Sequence, residues 1–215
     1  MKKGLIYSII TAILFVTLEP VSKLIANDIS PYAITFWRFI IGSFMLLPPA
    51  FIKVRKENIH ITFKDLLVTS VLGILFICIS MTTLQLAVKI ADTPSLIAII
   101  FSSNSVFTII FAIIIAKENM NKYKGISLLF GVLCVLLCAD LSSGTNITSV
   151  SLALFSAISF SFYSALSQRF MKKLCGIIQT ALIFLTGSIF LLIILLITGA
   201  GIAPSSDFNS IAILI

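Results

Sequence analysis

GLIYSIITAILFVTLEPVSKLIA, residues 4–26, is an apolar run with one carboxylate, Glu19, and one proline, Pro20, inside it. At ~1.5 Å rise per residue it reaches about 30 Å as a helix, enough to cross the hydrocarbon of a bilayer. An acid at mid-membrane costs roughly 2.5 kcal/mol or more. Pro20 has no N–H for the carbonyl of Val16 and crowds that turn, so a kink is expected around residues 16–19. A kinked helix carrying a carboxylate is tolerated where it faces protein or a water-filled cavity. The stretch therefore points to a path or site inside a helical membrane bundle.

The rest of the chain has the same character. Its 215 residues are 59% hydrophobic and 11% charged, with a mean hydropathy of +1.17, which excludes an ordinary soluble domain. The net charge of +7 does not indicate nucleic acid, because the basic residues sit at the ends of apolar runs, where they set topology. Met1-Lys2-Lys3 resembles the start of a signal peptide, but the following run is too long for one and reads as a retained first helix.

Seven spans follow from the hydropathy, at approximately Gly4–Ala26, Pro31–Ile52, Lys64–Val88, Pro94–Ala116, Tyr123–Ala139, Val150–Arg169 and Ile177–Gly199. An eighth apolar run begins after Asp207. Pro31 and Pro94 each suit the first turn of a helix. Lys2, Lys3, Lys53, Arg55, Lys56, Lys64, Lys117, Lys122, Lys124, Arg169, Lys172 and Lys173 fall on one side, and only Lys23 and Lys89 on the other. Twelve against two assigns the N-terminus to the cytoplasm.

A faint internal repeat accompanies the spans. A shift of 145 residues sets Ala12 on Ala157, Phe15 on Phe160, Ser22 on Ser167, Thr35 on Thr180, Gly42-Ser43 on Gly187-Ser188 and Phe63 on Phe208. Span six then restarts what span one began. With five spans per unit, the second unit is inverted relative to the first, as in many secondary transporters. The expectation is an all-α polytopic membrane protein: residues 1–140 form one five-helix unit and 141–215 the start of a second. A full second unit would give about ten spans, so the chain reads as a fragment or truncated reading frame.

Short motifs carry a family resemblance across essentially the whole chain. Lys23 closes the first span; Ser30-Pro31 opens the second, followed by Phe36-Trp37-Arg38-Phe39; and Ala116-Lys117-Glu118-Asn119-Met120 precedes Gly125 and Gly131. In these the chain resembles ten-helix EamA-type members of the drug/metabolite transporter superfamily. It departs from them at Asn104-Ser105, where a mid-helix proline is common, and at Asn119, where arginine is usual. The resemblance implies an inverted-repeat exporter or importer of small metabolites, coupled to protons or to exchange, in a prokaryotic cytoplasmic membrane.

Glu19 and Arg38 each lie about seven residues inside the same membrane face, roughly 10 Å deep, so neighbouring antiparallel helices can bring them together. Lys23 is one turn from Glu19. Two readings stand: Glu19 exchanges a proton for solute, or it forms a fixed ion pair with Arg38 or Lys23. A first-helix glutamate also resembles that of the small multidrug resistance branch. Gln85, Asn104 and Tyr163 are the strongest hydrogen-bonding candidates for a cavity wall, while Trp37 reads as a cavity-mouth residue or an interfacial anchor. The serines of spans four and six read as links between helices more readily than as a site, and Ala157, Ser161 and Ala165 as a close-packing face.

Cys78, Cys134, Cys138 and Cys175 lie in or beside apolar runs, so no disulfide is expected, and His60 is the only histidine, which leaves no histidine-based catalytic or metal cluster. No cofactor is implied. The leading expectation is a secondary transporter for a small-molecule solute, with lipid and protons as further partners and a homodimer as a candidate assembly. The alternative is a non-transporting scaffold, assembly subunit or non-functional fragment; an enzyme has no supporting pair of acids or nucleophile–base pair.

Overall fold

The computed structural model describes residues 23, 30–115, 117, 121–122, 125–131, 133, 146–171 and 173–199. Five of its helices are long and apolar enough to cross a membrane: α1 (Pro31–Lys56), α2 (Phe63–Ile90), α3 (Pro94–Ile114), α4 (Ile147–Phe170) and α5 (Gly176–Thr198). They correspond to spans two, three, four, six and seven. Span one apart from Lys23, most of span five and the run after Asp207 lie outside the described residues, as do Glu19 and Pro20. No strand occurs among the described residues.

Local chemistry sets the helix ends. Ser30 Oγ accepts from the Ala33 N–H at 3.2 Å and Pro31 occupies the first turn, so α1 starts where its missing N–H costs nothing. Lys53, Arg55 and Lys56 fill its last turn, where cations suit the carbonyl end of the helix dipole. That basic turn is helical, so α1 runs past Ile52, the boundary expected from hydropathy alone. At the start of α2, the Thr62 N–H donates to Asp65 Oδ2 at 3.0 Å. Asn146 Oδ1 accepts from the Thr148 N–H at 3.1 Å, which starts α4 at Ile147, three residues before the expected Val150.

Two helices are irregular. Ile74–Met81 in the middle of α2 is a π-helix, and the Thr82 N–H reaches back five residues to Ile77 O. Hydroxyls occupy the carbonyls of this segment: Thr83 Oγ1 donates to Ile79 O at 2.7 Å and Ser80 O at 2.8 Å, and Thr82 Oγ1 donates to Cys78 O. In α3 the α-helix is interrupted at Ser103, whose N–H bonds Ile100 O at 3.1 Å. Ser102 Oγ donates to Ile99 O at 2.6 Å and Ser105 Oγ to Ser102 O at 2.9 Å. The interruption falls beside Asn104-Ser105.

The core draws buried residues from all five helices, with α3 contributing Leu96, Ile97, Ile100 and Phe101 and packing mainly on α4. α1 packs most extensively on α5. α2 and α5 approach backbone to backbone, so that a Cβ on Gly73 would lie 2.8 Å from Gly187 N, and one on Gly187 would lie 2.8 Å from Gly73 O. Two small residues let the backbones touch, and Thr186 Oγ1 donates to Thr69 O at 3.2 Å across the same seam. The bundle's outer face carries large apolar side chains, including Phe44, Met45, Leu196 and Ile197, as a helix bundle in lipid requires.

Candidate functional site

Alternation of the spans gives the bundle two ends. One holds Lys53, Arg55, Lys56, Lys64, Lys117, Arg169 and Lys173; the other holds Lys23, Lys89 and Asp92. At the second end Lys23 Nζ meets the carboxyl terminus of α2, donating to Val88 O at 3.2 Å, Lys89 O at 2.8 Å and Ala91 O at 2.7 Å. A lysine ammonium has three N–H donors, and three carbonyls left without helical partners accept from it. Lys23 therefore acts as a cationic cap on α2. The expected neighbour Glu19 lies outside the described residues.

Gln85 lies one turn before those carbonyls on α2 and is 3% exposed. Its Oε1 is buried and has no hydrogen-bond partner among the described residues. A buried amide oxygen without a donor costs about 1–3 kcal/mol. α1, which carries Trp37 and Arg38, packs against this part of α2. Lys23, Gln85, Trp37 and Arg38 are thus gathered at one end of the bundle.

Deeper in lies a cluster of rings that sequence reasoning missed. The Arg38 guanidinium is 5.9 Å from the centre of the Phe39 ring, and Phe39 meets Phe76 edge-on at 5.2 Å. Phe76 stacks on Tyr163 at 4.7 Å and on Phe184 at 5.9 Å, while Phe160 lies 5.7 Å from Phe76. Phe39 and Phe184 meet at 4.9 Å with planes at 83°. Each such pair contributes about 0.5–1.5 kcal/mol beyond its burial. The 18 phenylalanines were the available signal, but apolar helices hide which of them converge. Arg38, Phe39, Phe76 and Tyr163 form a continuous path across α1, α2 and α4.

Asn104 is placed differently. Its carbonyl accepts from Ser161 Oγ at 2.7 Å, on a face of α4 turned toward α3, whereas Tyr163 two residues on meets Phe76 of α2. The structure therefore brings Tyr163 into the ring cluster and ties the backbone carbonyl of Asn104 to a packing seam. The serines act as links: Ser80 Oγ donates to Ser156 O at 3.0 Å and Ser156 Oγ to Ser80 O at 2.8 Å, both side chains fully buried. Ala157, Ser161 and Ala165 are buried to 0% exposure, as a close-packing face should be. Among the described residues, no group of three or more His, Cys, Asp or Glu side chains could hold a metal ion.

At the basic end, Lys53 Nζ lies 2.9 Å from Cys175 Sγ and 3.8 Å from Glu57 Oε1. Cys175 precedes α5, and its thiol is lowered from the ordinary value first by the Lys53 hydrogen bond and then by the Ile177 N–H.

A bundle of apolar helices with large apolar side chains on its outer face defines an integral membrane protein. Residues 2–139 match the EamA-like transporter family, and the chain belongs to that family. It is also 33% identical, over its whole length and 72% of the relative's, to a protein of Clostridium kluyveri named "Uncharacterized transporter".

Proposed function

We propose that the protein is a secondary active transporter, moving a small metabolite or drug-like solute by alternating access. The family match carries this reading. Residues 1–140 form the first five-helix unit and 141–215 the start of an inverted second one, in a cytoplasmic membrane with the N-terminus inside. Support for the repeat comes from the 145-residue shift applied to burial. Ala33 and Ile178, Phe36 and Ala181, Ser43 and Ser188, and Ala50 and Leu195 are pairs under that shift, and every member is buried. Phe39 and Phe184 are such a pair too, and they touch each other.

The solute site lies between Gln85 and the ring cluster. Gln85 offers the amide oxygen Oε1, Tyr163 and Trp37 offer ring faces, and Arg38 and Lys23 supply positive charge. Glu19 is the group that exchanges a proton for solute, and Asn104 borders the α3–α4 side. A planar solute with an amide donor fits this set, because Gln85 Oε1 accepts and the rings stack. Protons are the coupling partner, lipid the surroundings, and a homodimer the candidate assembly.

The test is flux of a panel of aromatic amines, amino acids and organic acids in vesicles with an imposed pH gradient. Gradient-driven movement of a planar donor solute, lost in Gln85→Leu, is the expected result. A panel in which no solute moves above protein-free vesicles contradicts the proposal.

A further inference from the structure

We infer that Lys53 and Cys175 form an oxidative cross-linking site, where a peroxide joins the two side chains by a sulfur–nitrogen bond and ties α1 to the start of α5. The two reactants already touch: Lys53 Nζ donates to Cys175 Sγ at 2.9 Å, across 122 residues of chain. Packing holds them there. Ala50, one turn before Lys53 on α1, is buried with Ile178 and Ala181 of α5, and Val54 and Cys175 pack on the same cluster. The amine is therefore brought to the sulfur by the α1–α5 contact, and the link depends on that contact alone, not on what the protein moves. Lys53 shares its ammonium with Glu57, but Glu57 Oε1 is the more distant partner at 3.8 Å. Pro49, Ile52, Lys53, Lys56 and Glu57 line an open cleft of about 480 Å³, which admits a small oxidant beside the pair. Cys78 differs: its thiol faces a carbonyl, Gly187 O, at 3.7 Å, from inside the π-helical segment of α2.

The chemistry follows from the pair's protonation. Lys53 first, and the Ile177 N–H after it, lower the Cys175 thiol from its ordinary value and so favour thiolate, the form that attacks an oxidant. The thiolate takes one peroxide oxygen as the O–O bond breaks, giving a sulfenic acid and hydroxide. The hydroxide removes a proton from the Lys53 ammonium and leaves as water, which frees the amine lone pair next to the oxidised sulfur. Nitrogen then attacks sulfur, the S–O bond breaks, and the departing hydroxide leaves as a second water with a proton from nitrogen. Sulfur has lost two electrons and the peroxide has gained them, and the pair itself supplies every proton the reaction consumes. Sulfenic acids condense in this way with nearby nitrogen. A thiol reverses the link by attacking sulfur and releasing the amine, and a second thiol then restores the cysteine as a disulfide leaves.

The test treats the full chain in lipid with hydrogen peroxide and reads proteolytic digests by mass spectrometry. The expected product is the peptide holding Lys53 joined to the peptide holding Cys175, lighter by two hydrogens than the reduced pair and separated again by dithiothreitol. Lys53→Arg keeps a cation beside the thiol and the helix ends in place, but it has no primary amine. In that variant the joined peptides should disappear, and labelling of Cys175 by dimedone, which traps sulfenic acid, should rise at least several-fold. The proposal is overturned if Cys175 of the natural chain is oxidised without joining Lys53, whether to a dimedone adduct, a sulfinic acid or a sulfonic acid. It is overturned equally if Cys175 resists peroxide, or if Lys53→Arg leaves its dimedone labelling unchanged.

Discussion

Lys53 Nζ donates to Cys175 Sγ over 2.9 Å, joining the last turn of α1 to the residue that precedes α5. The ammonium and the helix N-terminus both favour thiolate, so the thiol titrates below its ordinary value. A depressed value means the pair's stabilisation is full above the unfolded thiol's range and is lost as pH falls through the folded value. With the other three cysteines replaced by serine, alkylation of Cys175 should show a pH midpoint below that of a free thiol. Lys53→Gln should move the midpoint upward. An unchanged midpoint removes Lys53 as the cause.

The α2–α5 crossing tolerates no side chain at Gly73 or Gly187, because the obstacle in each case includes backbone. Gly73→Ala or Gly187→Ala should therefore cost about 1–3 kcal/mol, the usual penalty for overpacking. Thermal unfolding in detergent would register this as a lowered midpoint for each variant. Gly125→Ala, which meets nothing within 4 Å, is the control and should be near neutral. Equal stability of all three variants contradicts the packing account.

Ser80 and Ser156 exchange hydrogen bonds with each other's carbonyls and are fully buried. Removing one hydroxyl leaves the facing carbonyl short of a donor, so Ser80→Ala and Ser156→Ala should each cost of the order of 1 kcal/mol. Because the bonds share one interface, the double variant should cost less or more than the sum. Strict additivity in a double-mutant cycle shows that the two links are independent.

The described spans were legible to within a few residues, because twenty apolar residues between basic turns admit little but a membrane helix. Pro31 and Pro94 stand in the first turns where the sequence sets them. The π-helix Ile74–Met81 was not legible: ILFICISM is apolar apart from one serine and has no periodic signal to disturb. Its register is accompanied by tertiary features, the Gly73–Gly187 contact and the threonine hydroxyls that follow it. Side-chain pairing suggested Glu19 as the partner of Lys23, yet its described partners are backbone carbonyls 65–68 residues away. Charge patterns in a sequence carry no trace of where a distant helix ends. The stacking of the Tyr163 ring on Phe76 was not legible either, because no periodic pattern tells which aromatic residues of separate helices meet.

Lys23 offers a test of that cap. Lys23→Met leaves the carbonyls of Val88, Lys89 and Ala91 without its ammonium, and fraying of the last turn of α2 should follow. Hydrogen exchange at residues 88–91 should accelerate at least several-fold, with exchange at 63–73 unchanged. Uniform protection along α2 in the variant contradicts the capping role.

The account depends most on the carboxylate at residue 19 exchanging protons with the solute. The direct measurement is solute counterflow driven by an imposed pH gradient in proteoliposomes, comparing the natural protein with Glu19→Gln at matched amounts of folded protein. The account predicts gradient-driven counterflow in the first and its loss in the second. Undiminished gradient-driven counterflow in Glu19→Gln contradicts it.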